Sequence, residues 1–139
     1  MPKNQVNNFN KEIVTSFAVG TVIGLITTLA SLLMFAIIMT AVDISTSVLP
    51  VLATISLIIG AFFGAMYTVG KFKKKGFLNG ITVGALIFVV VFIISFFVSG
   101  EGLTLTTVFH LICCLLSGGI SGILSVNKQI KNKYLKRIK

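Results

Sequence analysis

The chain has 139 residues, of which 55% are hydrophobic and 11% are charged, and its mean hydropathy is +1.05. Soluble domains carry about 25% charged residues, so this composition excludes a soluble globular protein, and the length is that of one domain. The net charge is nevertheless +9. The two cysteines, Cys113 and Cys114, are adjacent in the sequence, which excludes a disulfide framework.

Charged residues divide the chain into four long uncharged runs, bounded by Glu12, Asp43, Lys71, Lys75, Glu101 and Lys128. A helix rises about 1.5 Å per residue and the hydrocarbon core of a bilayer is about 30 Å thick, so each run is long enough for one crossing and too short for two. A lone strand would leave its backbone unpaired in lipid, which favours helices. The sequence therefore predicts an all-α membrane protein, a single domain with spans over 13–40, 49–69, 77–98 and 103–126 and a basic tail over 127–139.

The basic residues predict the orientation of these helices in the membrane. All 12 Lys and Arg residues precede the first span, lie between spans two and three or follow span four, whereas the loops that contain Asp43 and Glu101 have none. The positive-inside rule places both termini and the middle loop in the cytoplasm. We therefore expect a multi-pass protein of the cell (plasma) membrane whose N-terminus and C-terminus are cytoplasmic.

The same distribution predicts what the charged surface contacts. Lys and Arg near the cytoplasmic surface are attracted to anionic lipids, and we expect this contact for Lys71, Lys73, Lys74, Lys75, Lys128 and Lys131. The tail also carries apolar residues among its basic ones, so it either lies on the inner leaflet or is solvated. The positive-inside pattern already accounts for the +9 charge, and no nucleic-acid partner is expected.

Each predicted span contains a G-x-x-x-G pair. Hydrophobic burial does not drive helices together in lipid, and small residues allow the close backbone approach that gives van der Waals contact. The pairs of the first two spans recur at nearly constant intervals in the last two, which predicts two helical hairpins in parallel orientation, related by an axis along the membrane normal. The expected helix-packing residues are Gly20, Gly24, Gly60, Gly64, Gly80, Gly84, Gly118 and Gly122.

Glycine and lysine also form a local motif around the middle loop. Span two ends with Gly60-x-x-x-Gly64, the loop runs Gly70-Lys71 and Lys75-Gly76-Phe77-Leu78-Asn79-Gly80, and span four closes with Gly118-Gly119-Ile120-Ser121-Gly122. With four spans in so short a chain, this resembles the YrzE-like family of small four-span bacterial membrane proteins of unknown function. The resemblance implies the fold and the membrane location, and it implies no activity and no functional residues.

The sequence lacks the residues that catalysis and proton-coupled transport usually need. The three acids, Glu12, Asp43 and Glu101, all lie outside the spans, so the membrane-embedded carboxylate of a small multidrug exporter is missing. There is no P-loop, dinucleotide fingerprint, Ser–His–Asp arrangement or Cys/His cluster. The chain is therefore not expected to be an enzyme or to bind a cofactor or a metal.

Four residues within or beside the spans carry alternative interpretations. His110 either forms a proton-sensitive or metal-binding site or, as we favour for a histidine without a second ligand, is a neutral side chain bonded to a Ser, a Thr or a backbone carbonyl. Asn79 either bonds a neighbouring helix or a headgroup or is simply an interfacial polar residue. Cys113 and Cys114 point about 100° apart on a helix and are interpreted as packing residues.

The leading hypothesis is an integral membrane protein that acts as a structural or interaction subunit, packed through its glycine-rich helix faces. Its partners would be the lipid bilayer and either a second copy, as a homo-oligomer, or another membrane protein. The alternative is a small transporter or channel component acting as a homo-oligomer, in which two copies supply eight spans. The absence of an acid within the spans favours the interaction hypothesis.

Overall fold

A computed structural model describes residues 3–71, 75–100 and 102–138, and across these residues the chain forms helices and no strand. The four α-helices are α1 (Lys3–Val42), α2 (Leu49–Lys71), α3 (Gly76–Ser99) and α4 (Leu105–Ile138), with a single 3-10 turn over Thr46–Val48 ahead of α2. Each α-helix is long and apolar enough to cross a membrane. The predicted all-α fold with four potential spans is confirmed.

Two of the helices are longer than the apolar segments that predicted them. The first helix already begins at Lys3, and the last continues through the basic tail to Ile138. Every described residue of the two projecting ends, over 3–12 and 130–138, is exposed. The basic tail is therefore a continuation of α4 rather than a separate segment.

The ends of α1 and α3 use the left-handed backbone conformation. Asp43 follows α1 with φ 52°, and Gly100 follows α3 with φ 64°. The amide of Gly100 donates to the Phe96 carbonyl over 3.0 Å, which satisfies one of the carbonyls left open at a helix end. Pro50 lies in the first turn of α2, where its missing amide hydrogen costs nothing.

The helices pack as two hairpins joined through their second members. Helix α1 packs on α2 and α3 packs on α4, while α2 and α4 form the contact between the hairpins. Helix α2 also touches α3, whereas α1 and α4 make no contact within the described residues. Hydrogen bonds between α2 and α4 join residues at a constant sequence separation, which shows that these two helices run in the same direction. The parallel arrangement of the hairpins follows.

The densely packed part of the bundle is confined to one end. Its apolar centre consists of Ala61, Ala65, Val83 and Ile87, with small residues around it. No residue of 29–42, 49–55, 88–99 or 105–113 is buried. Large side chains occupy the loosely packed end, where the rings of Phe88 and Phe92 stack with centroids 5.9 Å apart. The glycine-rich segments therefore coincide with the dense end, which is also the end of the α2–α3 connection.

Candidate functional site

The glycines of the first hairpin face each other across the α1–α2 contact. A Cβ atom at Gly60 would lie 2.7 Å from the carbonyl oxygen of Gly24, and one at Gly64 would lie 2.8 Å from that of Gly20. Real Cβ atoms essentially never come within 3.0 Å of another heavy atom, so these positions accept no side chain at this spacing. The Thr28 hydroxyl covers Gly60 and donates to the Gly24 carbonyl over 2.8 Å.

The second hairpin is built in the same way across the α3–α4 contact. A Cβ at Gly84 would lie 2.5 Å from the carbonyl oxygen of Cys114, and Gly80 and Gly118 each lie against the carbonyl of the other. A Cβ at Gly76 would lie 2.5 Å from the carbonyl oxygen of Gly122, which adds a third close contact. Six of the eight predicted packing glycines thus pair with one another, whereas Gly84 packs against Cys114 and Gly122 against Gly76.

The two hairpins differ in register by one helical turn. In the repeat, Gly80 is the counterpart of Gly20, and Gly118 is the counterpart of Gly60. A Cβ at Gly20 would meet the carbonyl of Gly64, yet one at Gly80 meets the carbonyl of Gly118. The two halves of the internal repeat therefore share their glycine positions but differ in which residues face each other across the helix contact.

A small residue at one position explains this difference. In the second hairpin, Gly76 approaches the Gly122 backbone more closely than any Cβ tolerates. Its counterpart in the first hairpin is Ser16, so the same register there would drive the Ser16 Cβ into the Gly64 backbone. The first hairpin is accordingly shifted, and the Thr68 hydroxyl instead lies 3.4 Å from the Ser16 carbonyl oxygen.

A row of serine hydroxyls joins α4 to α2; we call it the serine ladder. Ser117 donates to the Ile58 carbonyl over 2.8 Å, Ser121 to the Phe62 carbonyl over 2.5 Å, and Ser125 to the Met66 carbonyl over 3.2 Å. All three serines are buried. The donors on α4 and the acceptors on α2 both recur every four residues, so one face of α4 is hydrogen-bonded along one face of α2. Buried hydroxyls that find such partners hold membrane helices together.

Gln129 extends the serine ladder to the end of α2. Its amide nitrogen donates to the Gly70 carbonyl over 2.5 Å and lies 3.5 Å from the Val69 carbonyl oxygen. These carbonyls belong to the last turn of a helix, where no intrahelical donor remains. The side chain of one helix thus caps the C-terminus of another.

His110 lies at the other end of the α2–α4 contact and is half-buried. Its Nε2 atom is 2.8 Å from the Thr54 hydroxyl, and that hydroxyl lies 2.8 Å from the Pro50 carbonyl oxygen. A hydroxyl has one hydrogen, so the histidine tautomer decides which of the two side chains donates in the Thr54–His110 pair. The structure thus places His110 in a hydrogen bond with a threonine, which both the structural and the functional interpretation of this residue allow.

The structure also describes the two cysteines, Asn79 and four of the lysines that were predicted to contact lipid. Cys114 is buried and Cys113 is half-buried. Asn79 is half-buried in the first turn of α3, where its backbone amide donates to the Lys75 carbonyl over 3.1 Å. The predicted lipid-contacting lysines that the structure describes are all exposed: Lys71, Lys75, Lys128 and Lys131. Lys73 and Lys74 lie outside the described residues.

Two features of the site were missed by the sequence analysis. Ser117 was not predicted as a packing residue, and no hydrogen bond to another helix was predicted for Ser121 or Ser125. Gly119 was also missed, and a Cβ there would lie 2.9 Å from the Phe77 ring. The four-residue spacing of Ser117, Ser121 and Ser125, continued by Gln129, was the available signal.

The arrangement can hold helices together through close backbone contacts and hydrogen bonds. Across 3–71, 75–100 and 102–138, no three His, Cys, Asp or Glu side chains are grouped so that they could hold a metal ion. The buried polar groups are hydroxyls, and the ladder serines direct theirs at backbone carbonyls.

Comparison with known proteins identifies a family and no characterised relative. No curated protein and no solved structure matches the chain. Residues 13–125, which include α2, α3, most of α1 and the part of α4 that carries the serine ladder, match the family DUF3792, described as a protein of unknown function. Since the match covers well over half of the sequence, the chain belongs to the DUF3792 family.

Proposed function

We propose that this protein is a structural or interaction subunit of the cell membrane, without catalytic activity or a cofactor. The proposal includes a bacterial origin and the YrzE-like relationship implied by the resemblance. The observation that supports it is that the small residues and the serine hydroxyls contact other helices of the same chain. The glycine faces are paired within the hairpins, and the serine ladder is satisfied by α2.

The partner surface in this proposal is the outside of the bundle. Because the glycine faces already contact one another, a second copy or another membrane protein would meet large exposed side chains on the outside of the bundle, and the proposal places this contact at the loosely packed end. Leu33 on α1 and Phe97 on α3 are 66% and 83% exposed there. Van der Waals packing of such surfaces against another helix is the available source of association in lipid.

The proposed orientation has both termini and the α2–α3 connection in the cytoplasm. The basic residues of the dense end support it under the positive-inside rule. The exposed Lys71, Lys75, Lys128 and Lys131 would contact anionic lipids there, and the proposal extends to Lys73 and Lys74, outside the described residues.

Association and flux measurements test the interaction role. The full chain, purified from its own membrane in mild detergent, is expected to elute as an assembly of defined stoichiometry. Cysteines introduced at Leu33 or Phe97 should then cross-link to a partner, whereas one at Val83, which is fully buried, should not. Reconstituted vesicles are expected to show no ion or solute flux above protein-free vesicles. A monomer that catalyses flux would contradict the proposal.

The alternative of a transporter or channel component rests on one feature, the half-buried His110–Thr54 pair between α2 and α4. A polar pair at membrane depth is a recurrent element of ion pathways. In this alternative, the flux assay gives a positive result that depends on assembly of at least two copies.

A further inference from the structure

A groove lies at the dense end of the bundle, between the end of α2 and the projecting part of α4. It has a volume of about 1160 Å³ and is lined by Gly70 and by residues of α4 that include Gln129, Ile130, Lys133 and Lys136. Sites for drug-sized ligands have volumes of about 300–1,000 Å³. The groove is therefore large enough for a ligand of at least that size.

The charge around the groove selects an anion. Lys133 and Lys136 line it, and the exposed Lys128 is near them on the same helix. The acid nearest to this end among the described residues is Glu12, which belongs to α1, and α1 does not contact α4. Positive charge without an ionic partner raises the local concentration of anions.

The apolar part of the lining selects a lipid rather than a free anion. Val126, Ile130, Leu135 and Ile138 also line the groove, and inorganic phosphate would gain nothing from them. Gln129 is level with Gly70, so Lys133 projects about one helical turn, about 5 Å, past the end of α2. Headgroups occupy a layer of about 5–7 Å outside the hydrocarbon core. Basic pockets of this kind, beside helices at the cytoplasmic surface, bind anionic headgroups.

Gln129 lines the groove where α4 meets the end of α2. Its amide nitrogen faces the carbonyls of Val69 and Gly70, which only accept, so the orientation of the amide is fixed. The Oε1 atom is buried. A ligand in the groove therefore does not contact this atom, and the charged contacts fall to Lys133 and Lys136.

We propose that this groove binds a single anionic phospholipid. Lys133 and Lys136 contact the phosphate, and Val126 and Ile130, which lie on the membrane side of Lys133, contact the glycerol and upper acyl region. The site does not depend on the interaction role proposed above, and the experiment below involves no partner protein, so either proposal can fail alone.

Thermal unfolding of the full chain in mild detergent tests the site, because a ligand that binds the folded state raises the melting temperature. Dioleoylphosphatidylglycerol is expected to raise it at lower concentration than dioleoylphosphatidylcholine, and inorganic phosphate should leave it unchanged. In the Lys133→Gln/Lys136→Gln variant, the phosphatidylglycerol concentration for half the maximal shift should rise at least tenfold. Phosphatidylmethanol, which has the same phosphodiester charge without hydroxyls, should bind about as tightly as phosphatidylglycerol.

The matched control is Lys3→Gln/Lys11→Gln, which removes the same charge from α1 and should respond to phosphatidylglycerol like the native chain. Both variants should melt like the native chain in phosphatidylcholine, since all four lysines are exposed. If the two variants lost the response to phosphatidylglycerol equally, the lipid site would be overturned. An equal response of the native chain to phosphatidylglycerol and phosphatidylcholine would also overturn it. A shift with inorganic phosphate alone would make it a phosphate site, which also refutes the proposal. Binding of phosphatidylmethanol as weak as that of phosphatidylcholine would also overturn the proposal, because the phosphodiester charge would then not determine binding.

Discussion

The Ser121 hydroxyl donates a hydrogen bond of 2.5 Å to the backbone carbonyl of Phe62, and both groups belong to the contact that joins the two hairpins. Ser121 is fully buried. Water cannot replace this bond, and a carbonyl already engaged in its own helix accepts it. The packing of the two hairpins against each other therefore depends on hydrogen-bond donors in side chains. The packing within each hairpin depends on glycines that let two backbones approach closely.

The serine ladder should contribute measurably to stability. Hydrogen bonds between membrane helices average about 0.6 kcal/mol and reach about 1.7 kcal/mol. We expect Ser117→Ala/Ser121→Ala/Ser125→Ala to lower the free energy of unfolding by about 2 kcal/mol in total, measured by denaturant titration in detergent. Ser95→Ala is the control, because Ser95 is exposed on α3. Equal stability of the triple variant and the control would refute the ladder as a stabilising element.

Glycine positions should differ sharply in their tolerance of a methyl group. In Gly80→Ala, the new Cβ would collide with the Gly118 carbonyl, and overpacking of this kind costs about 1–3 kcal/mol. At Gly70 the nearest atoms to a Cβ are 3.9 Å away, so Gly70→Ala should be neutral or stabilising by up to about 1 kcal/mol through the lower backbone entropy of the unfolded chain. Melting temperatures of the two variants in detergent provide the comparison. A Gly70→Ala variant that melts as low as Gly80→Ala would contradict the packing described for these helices.

Accessibility of introduced cysteines should reveal the orientation in the membrane. In a Cys113→Ala/Cys114→Ala background, we expect Lys75→Cys to be protected from a membrane-impermeant maleimide in intact cells and to react after permeabilisation. Ser45→Cys, in the loop at the opposite end of the bundle, should react in intact cells. The physical reason is the retention of Lys and Arg on the cytoplasmic side. The reverse labelling pattern would exclude the proposed orientation.

The His110–Thr54 pair should act as a structural contact. The single variants His110→Phe and Thr54→Val and the double variant form a thermodynamic cycle, and we expect a coupling energy of about 0.6–1.7 kcal/mol. His110→Asn should leave the flux of reconstituted vesicles unchanged between about pH 5 and 8, where histidine usually titrates.

A pH-dependent or zinc-dependent flux in the native protein that His110→Asn abolishes would replace the structural role with a functional one. It would also favour the transporter alternative over the interaction role. Melting temperatures of the same two proteins, recorded at each pH, separate a loss of function from a loss of folding.

The sequence by itself indicated the membrane environment, the four helices and the helix faces that pack together. Long uncharged runs admit only helices in a bilayer, because each backbone amide has to be paired within its own segment. The small residues recur at helical spacing, so the stripe of Ser16, Gly20, Gly24, Thr28 and Ser31 could be assigned to one face of α1. The structure buries the first four of these residues and leaves Ser31 half-buried. These conclusions depend on local chemistry and periodicity, which a single sequence contains.

Only the tertiary structure decided which helices meet and in what register. The two hairpins share their glycine pattern, yet their registers differ by one turn, because Gly76 tolerates a backbone contact that the Cβ of Ser16 would obstruct. The serine ladder likewise required α2 and α4 to be neighbours running in the same direction. Close approach and hydrogen bonding between distant segments depend on distances of a few tenths of an ångström, and residue spacing along the chain does not contain them.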